Sequence, residues 1–429
     1  MRVAVVGMWH LGTVTAACLA AAGHDVVGID DDSELINKLR QGLLPVSEPG
    51  LKELTRSQFE AGRLLFSSDM RSLGEAEVVW ITYDTPVNDS DCADVDLVLG
   101  KVIALYPYLN EQGLLLISSQ LPVGSTRKLE QIYRDVVPKG EAGFAYSPEN
   151  LRLGRAIEAF ARPERVVVGT RDITARNRIR ILLRPLTENI EWMSVESAEM
   201  TKHALNAFLA TSVAFINELA TVCERVGADA REVEKGLKTD VRIGQKAYLR
   251  PGQAFGGGTL ARDISFLIQT GQSKGLPINL FSGVQRSNDS HKEWPCRKLL
   301  EVLGELAGRR LTVLGLTYKP GTDTLRRSPA VELCQWAHRR GATVTAYDPA
   351  IQMLPPELAR FIGLQATCEA ALRGACAVYL ATEWPEFEDL TADKLLRWTN
   401  DAIVIDPGRF LENVSHDPRI HYFSIGSVQ

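Results

Sequence analysis

An apolar run from Arg2 to Val6 ends at Gly7, a helical pattern occupies residues 13–22, and a second apolar run, Asp25 to Ile29, closes on Asp30. Strand, helix and strand in that order start a βαβ unit, because a crossover helix brings the chain back parallel to its first strand. Runs at residues 77–82, 113–119 and 142–146 are apolar throughout and do not alternate, which predicts strands covered on both faces. The rhythm reopens at residues 310–316 and continues through 343–348, 375–381 and 402–405. Between the two systems a helical pattern runs over residues 194–226 and stops at Gly227, with Met200, Ala207, Phe208, Phe215 and Leu219 at helical spacing. The expected fold is α/β, two doubly wound parallel sheets joined by a long central helix.

The turn after the first strand reads Gly7-Met8-Trp9-His10-Leu11-Gly12, the first and third glycines of a dinucleotide fingerprint with Trp9 in the middle. That makes the first domain Rossmann-like. A carboxylate at the end of the second strand suits the adenosine ribose hydroxyls and repels a 2′-phosphate, so Asp30 points to NAD rather than NADP. The alternative is that Asp30-Asp31-Asp32 forms a solvated turn capping the next helix. Residues 84–86, 119–124 and 147–152 follow later strands, at the sheet edge where ligands bind.

A polar, glycine-rich stretch at residues 251–264 carries Gly256, Gly257 and Gly258, then Thr259, Arg262 and Asp263. Glycines let backbone approach a ligand, and a loop that gathers a hydroxyl, a cation and a carboxylate is more often a site than a plain hinge. Lys202 and Asn206 stand one helical turn apart.

A formal charge of −5 and a pI near 5.9 argue against a general nucleic-acid or membrane-surface role. The Met-Arg start followed by a strand, without an apolar run of about 18 residues anywhere, argues against export or membrane spanning. The seven cysteines are odd in number, scattered and never Cys-x-x-Cys, which fits reduced thiols in a cytoplasmic protein and offers no metal-ligand cluster.

The stretch Phe255-Gly256-Gly257, with Asp263 in frame, resembles the active-site loop of the UDP-glucose and GDP-mannose 6-dehydrogenases, the nucleotide-sugar dehydrogenase family. The resemblance extends from Gly7 to Arg409 through Thr85-Pro86, Pro122-Val-Gly124, Ser147-Pro-Glu149, the pattern from Glu199 to Glu218, Asp240-Val-Arg242, Tyr248 to Gly252 and residues 315–329. It implies that Gly7, Trp9, Gly12, Asp30, Thr85, Pro86, Gln120 and Arg326 meet NAD. It assigns Leu151, Tyr248, Gly256, Gly257, Lys319 and Arg409 to the nucleotide sugar, and Arg242 to a neighbouring subunit's site. It places Glu149, Lys202, Asn206, Thr259 and Asp263 at the reacting centre. The implied domains are 1–193 (NAD binding), 194–300 (central helical, dimerising) and 301–429 (nucleotide-sugar binding). The implied assembly is a cytoplasmic homodimer engaged in polysaccharide biosynthesis, with no nucleic-acid or membrane partner.

The departures bear on the chemistry. Thr259 stands where the family keeps the cysteine that captures the intermediate aldehyde, Arg262 replaces a lysine, Gln120 a threonine and Leu153 a glutamate. An alcohol without a strong neighbouring base is a weak nucleophile. One two-electron oxidation of a nucleotide sugar is therefore expected, with a silent nucleotide-sugar-binding protein and a cysteine-independent four-electron oxidation as alternatives.

Overall fold

The computed structural model describes residues 1–86, 93–149, 151, 154–256, 258–326 and 328–427. Gly257, Leu153 and Cys92 lie outside the described residues. The chain forms two compact units, Met1–Leu205 and Asn206–Gln429.

The first unit is built on β1 (Arg2–Val6), β2 (Asp25–Ile29), β3 (Leu64–Ser67), β4 (Val78–Ile81), β5 (Leu114–Ile117), β6 (Gly143–Tyr146), β7 (Val166–Thr170) and β8 (Ile190–Met193), ordered β3-β2-β1-β4-β5-β6-β7-β8. Every residue of β4 and β5 is buried, as their unbroken apolar runs require. The sheet departs from the expected all-parallel form at one place, where β7 pairs with β6 antiparallel. Helix α1 (His10–Ala21) starts three residues earlier than its apolar pattern suggested, because His10 and Leu11 form a half-buried first turn ahead of the stretch buried from Gly12 to Ala20. Gly7 adopts φ +100, and a Cβ on Gly12 would stand 1.9 Å from the Gly7 carbonyl oxygen, so both glycines are required.

Helix α2 (Ser125–Val136) has no cap of its own. Its first N–H groups are satisfied instead by Glu199, which is fully buried and accepts from Gly124 N at 2.6 Å and Thr126 N at 2.9 Å. Glu199 lies on the long helix α3 (Val195–Val226), which begins in the first unit and ends in the second; Gly227 follows at φ +75 and stops it. By length and composition alone α3 could cross a membrane; 44% of its most apolar window is buried inside the protein. The apolar stripe read from sequence is mostly its outer face: Phe208 and Phe215 are exposed, while Ala207, Ala210 and Ala214 pack inward.

The second unit continues through α4 (Ala230–Thr239), α5 (Thr259–Ser273) and α6 (Asn279–Lys292) to a second sheet. Its strands β9 (Arg310–Leu314), β10 (Thr343–Tyr347), β11 (Gly363–Leu364), β12 (Ala377–Leu380), β13 (Ile403–Ile405) and β14 (His421–Phe423) run parallel in the order β11-β10-β9-β12-β13-β14. Helix α7 (Pro329–Arg339) follows β9 after a long polar segment. The stretch 251–264 is not a single loop, since α5 begins at Thr259 and puts Thr259, Arg262 and Asp263 in its first two turns.

Replacing Glu199 by alanine should lower stability by about 2–3 kcal/mol, because it strips two N–H groups at the start of α2 of a charged acceptor. Urea unfolding of the variant checks this.

Candidate active site

Each unit carries one group of candidate residues. In the first, the turn after β1 is pinned by Thr82, whose Oγ1 donates toward Val6 O at 2.9 Å and Gly7 O at 3.0 Å, and by Asp30, which accepts from Met8 N at 2.7 Å and Asp32 N at 3.1 Å. Asp30 is buried, and that burial pushes its carboxyl up against the pull of the two N–H groups. The helix-capping role belongs instead to Asp32, which accepts from Glu34 N and Leu35 N. Asp31 pairs with Lys101 at 3.0 Å.

Trp9 sits at φ −86, ψ −156, ordinary extended backbone, and its side chain is 50% exposed. The middle fingerprint position therefore demands no glycine here for conformation. No side chain caps α1, leaving its N-terminal N–H groups to an anion. Two required glycines, an uncapped helix start and a carboxylate at the end of β2 fit a dinucleotide.

Farther along the sheet edge, the buried Thr85 donates to Gln120 O at 2.8 Å, with Pro86 exposed beside it. Lys202 is buried and donates to Glu149 O at 2.6 Å, with Glu149 Oε1 at 3.5 Å, while Glu149 Oε2 accepts from Leu151 N at 2.8 Å. The ammonium and the carboxylate thus hold each other within the first unit. The Leu151 side chain packs on the apolar core.

In the second unit Asn206, on α3, donates its amide to Asp263 Oδ2 on α5, and both are buried. Thr259 is exposed, and no described residue hydrogen-bonds its hydroxyl. Arg262 is buried. The segment leading to α5 is fastened from behind by side chains that the sequence reading left without a role. Asn217 accepts from Gly252 N at 3.0 Å, His291 donates to Gly252 O at 2.9 Å, and Asn288 exchanges two bonds with the Phe255 backbone, at 3.0 and 2.9 Å. Gly256 borders a cavity of about 270 Å³ that Trp336 and Tyr379 also line.

The second sheet repeats the turn of the first. Gly315 adopts φ +84, Asp348 accepts from Leu316 N at 2.6 Å and Thr317 N at 2.9 Å, and Thr382 donates to Thr317 O at 2.6 Å. Lys319 is partly buried and Arg326 exposed on the segment that follows. Arg409, after β13, bonds Asp229 at 2.7 Å and Ser424 at 2.8 Å. Arg242 and Tyr248 are exposed, Arg242 paired with Asp240 at 2.7 Å.

The chain matches three successive family models: the NAD binding domain of the UDP-glucose/GDP-mannose dehydrogenase family over residues 1–187, its central domain over 196–290 and its UDP binding domain over 312–413. The chain belongs to the UDP-glucose/GDP-mannose dehydrogenase family. It is 34% identical to the UDP-glucose 6-dehydrogenase of Rhizobium meliloti (strain 1021) over 438 residues, covering 100% of this chain and 99% of that protein. It is 35% identical to UDP-glucose 6-dehydrogenase TuaD of Bacillus subtilis (strain 168) over 412 residues, 94% and 88% of the two chains. The solved UDP-glucose dehydrogenase of the hyperthermophilic archaeon Pyrobaculum islandicum superposes with a TM-score of 0.89 at 28% identity, over 99% of this chain and 98% of that one. As a member of this family, the protein is an NAD-dependent nucleotide-sugar dehydrogenase acting on CH–OH.

Asp30→Ala should weaken NAD binding by roughly 10- to 100-fold, the worth of one or two charge-assisted hydrogen bonds, as calorimetry would measure. A second expectation concerns His291, whose pKa burial lowers from 6.5. The unfolded chain then binds its proton more tightly, so stability should decline as pH falls through about 6.5, and His291→Gln should flatten that decline in thermal melts.

Proposed function

We propose that this enzyme oxidises a UDP- or GDP-sugar in a single two-electron step that stops at the carbonyl. The observation that carries the reading is Thr259: exposed at the start of α5, with no described residue hydrogen-bonded to its hydroxyl. An alcohol that no base activates does not capture an aldehyde.

NAD, when bound, accepts the hydride from the substrate carbon. The alcohol proton must leave separately, to a group placed beside the hydroxyl. Asp263, held by Asn206, and Lys202, held by Glu149, are the groups assigned to orient the hydroxyl and take that proton. Thr85, Pro86, Gln120 and Arg326 are assigned to NAD. Leu151, Tyr248, Gly256, Gly257, Lys319 and Arg409 are assigned to the nucleotide sugar, within domains bounded at 193 and 300.

The same reading makes the protein a homodimer. Phe208, Phe215 and Val222 are exposed at seven-residue spacing on α3, beside a groove of about 880 Å³ lined by Phe215, Val222 and Leu280. A stripe of that kind is an association surface. Arg242, exposed on the same unit, would reach the partner's site from there. The six described cysteines are free, which suits a reducing, cytoplasmic setting, and the acidic chain is read as having no nucleic-acid or membrane partner.

Incubated with UDP-glucose, or with a panel of UDP- and GDP-sugars, the enzyme should yield one NADH per sugar and a product that a carbonyl reagent traps. Two NADH and a uronic acid would instead establish a four-electron oxidation without a cysteine, and sugar binding without any NADH would establish a silent protein. Phe208→Glu with Phe215→Glu should halve the mass seen by light scattering; an unchanged mass, or a wild-type monomer, removes the α3 interface.

A further inference from the structure

Among the described residues, Arg409 is the only one other than glycine with a left-handed backbone, at φ 50. Strain of this kind persists only where the surroundings impose it, and it gathers at ligand sites. Glycine or asparagine would satisfy the turn at lower cost, so the position is held for its side chain.

The surroundings are specific. The carbonyl of the preceding residue, Gly408, accepts from Arg250 Nη2 at 2.9 Å and from Arg231 Nη2. A Cβ on Gly408 would stand 2.1 Å from Glu383 Oε1, so the Glu383 carboxylate lies directly against this residue. The Arg409 guanidinium donates to Asp229 at 2.7 Å, to Ser424 Oγ at 2.8 Å and, weakly, to Gly426 O at 3.4 Å. Asp229 and Arg231 both come from the start of α4, where Asp229 caps the helix by accepting from Arg231 N at 2.7 Å. One helix start therefore holds both ends of the strained residue: Arg231 the peptide before it, Asp229 its guanidinium.

A guanidinium has five N–H groups, and three are used here. The other two belong to a cation at the carboxyl end of β13, on the side of a parallel sheet where ligands bind, within the segment matched by the UDP binding domain. We propose that Asp229 and Arg231 are positioning residues that present Arg409 to the diphosphate of the nucleotide sugar. The proposal rests on the nucleotide-sugar reading above and adds to it how the cation is aimed.

The test is binding of UDP, with GDP in parallel, by calorimetry to the full chain, with NAD binding as the control for folding. Arg231→Ala should weaken the nucleoside diphosphate roughly tenfold, about one charge-assisted hydrogen bond, and leave NAD affinity unchanged. Arg231→Lys, which can still donate to Gly408 O, should recover most of the loss. Arg409→Gly relieves the strained backbone, so it should fold and bind NAD while losing the diphosphate, and adding Arg231→Ala to it should cost nothing further. Equal UDP affinity in wild type and Arg231→Ala, or losses that add in the double variant, would overturn the positioning role while leaving the nucleotide-sugar reading intact. A wild-type protein that binds NAD but neither UDP nor GDP would overturn both.

Discussion

A carboxylate at the end of the second strand holds the first turn of each sheet. Asp30 takes Met8 N, and Asp348 takes Leu316 N, Thr317 N and the Trp384 indole N–H. These turns pass so close to the next strand that a Cβ on Gly7 would stand 2.8 Å from the Tyr83 ring, and one on Gly315 2.4 Å from Thr382 Cβ. Buried N–H groups that lose such an acceptor cost about 1–3 kcal/mol each, so the shape of both ligand-bearing edges depends on two aspartates. The consequences differ. After Gly7 the chain enters α1 at once and leaves an uncapped helix start for a pyrophosphate. After Gly315 it runs through a polar segment bearing Lys319 and Arg326 before α7 begins at Pro329. In the proposed reading, one backbone device would support a helix-dipole site in the first unit and a side-chain site in the second.

Much of this was legible in the sequence because burial leaves a pattern. Strands β1, β2, β4, β5 and β6 are apolar on both faces, and α3 is long, periodic and ended by glycine, so each was placed to within a residue or two. Of the elements not foreseen, β7 does carry an apolar run, Val166-Val167-Val168, while the short edge strands lack that signature. Strand β8 is a four-residue edge with no fully buried residue, and β11 has only two residues. The boundary at Thr259 was hidden because Gly258, at φ +120, ψ −138, supplies the helix start without any capping side chain. An inward-pointing cap residue would have marked it.

The candidate site was legible where a residue type is costly elsewhere and obscure where it is ordinary. Buried Lys202, Asn206 and Asp263 stand out once neighbouring residues fix their family, since charged groups are seldom buried without partners. Asp229 looks like any helix cap, and Arg231, Asn288 and His291 like surface residues of polar helices; their partners lie 33 to 180 positions away in sequence or on another element. No local period encodes such pairs. The left-handed conformation of Arg409 was likewise invisible, because arginine carries no preference for it.

The start of α5 also explains why threonine and cysteine are so unequal at position 259. No side chain caps that helix, so its dipole acts directly on a group in the first turn. The effect reaches at most about 2 kcal/mol, or roughly 1.5 pKa units. A thiol starting near 8.5 would come close to neutrality and supply a useful fraction of thiolate. An alcohol, whose pKa lies near that of water and far above that of a thiol, would stay protonated through the same shift. An uncapped helix start therefore favours a thiolate and cannot activate a hydroxyl by field alone. In the two-electron reading, Thr259 leaves the field of α5 to the substrate: the same N–H groups that would favour a thiolate favour the partial negative charge of a carbonyl oxygen as it forms.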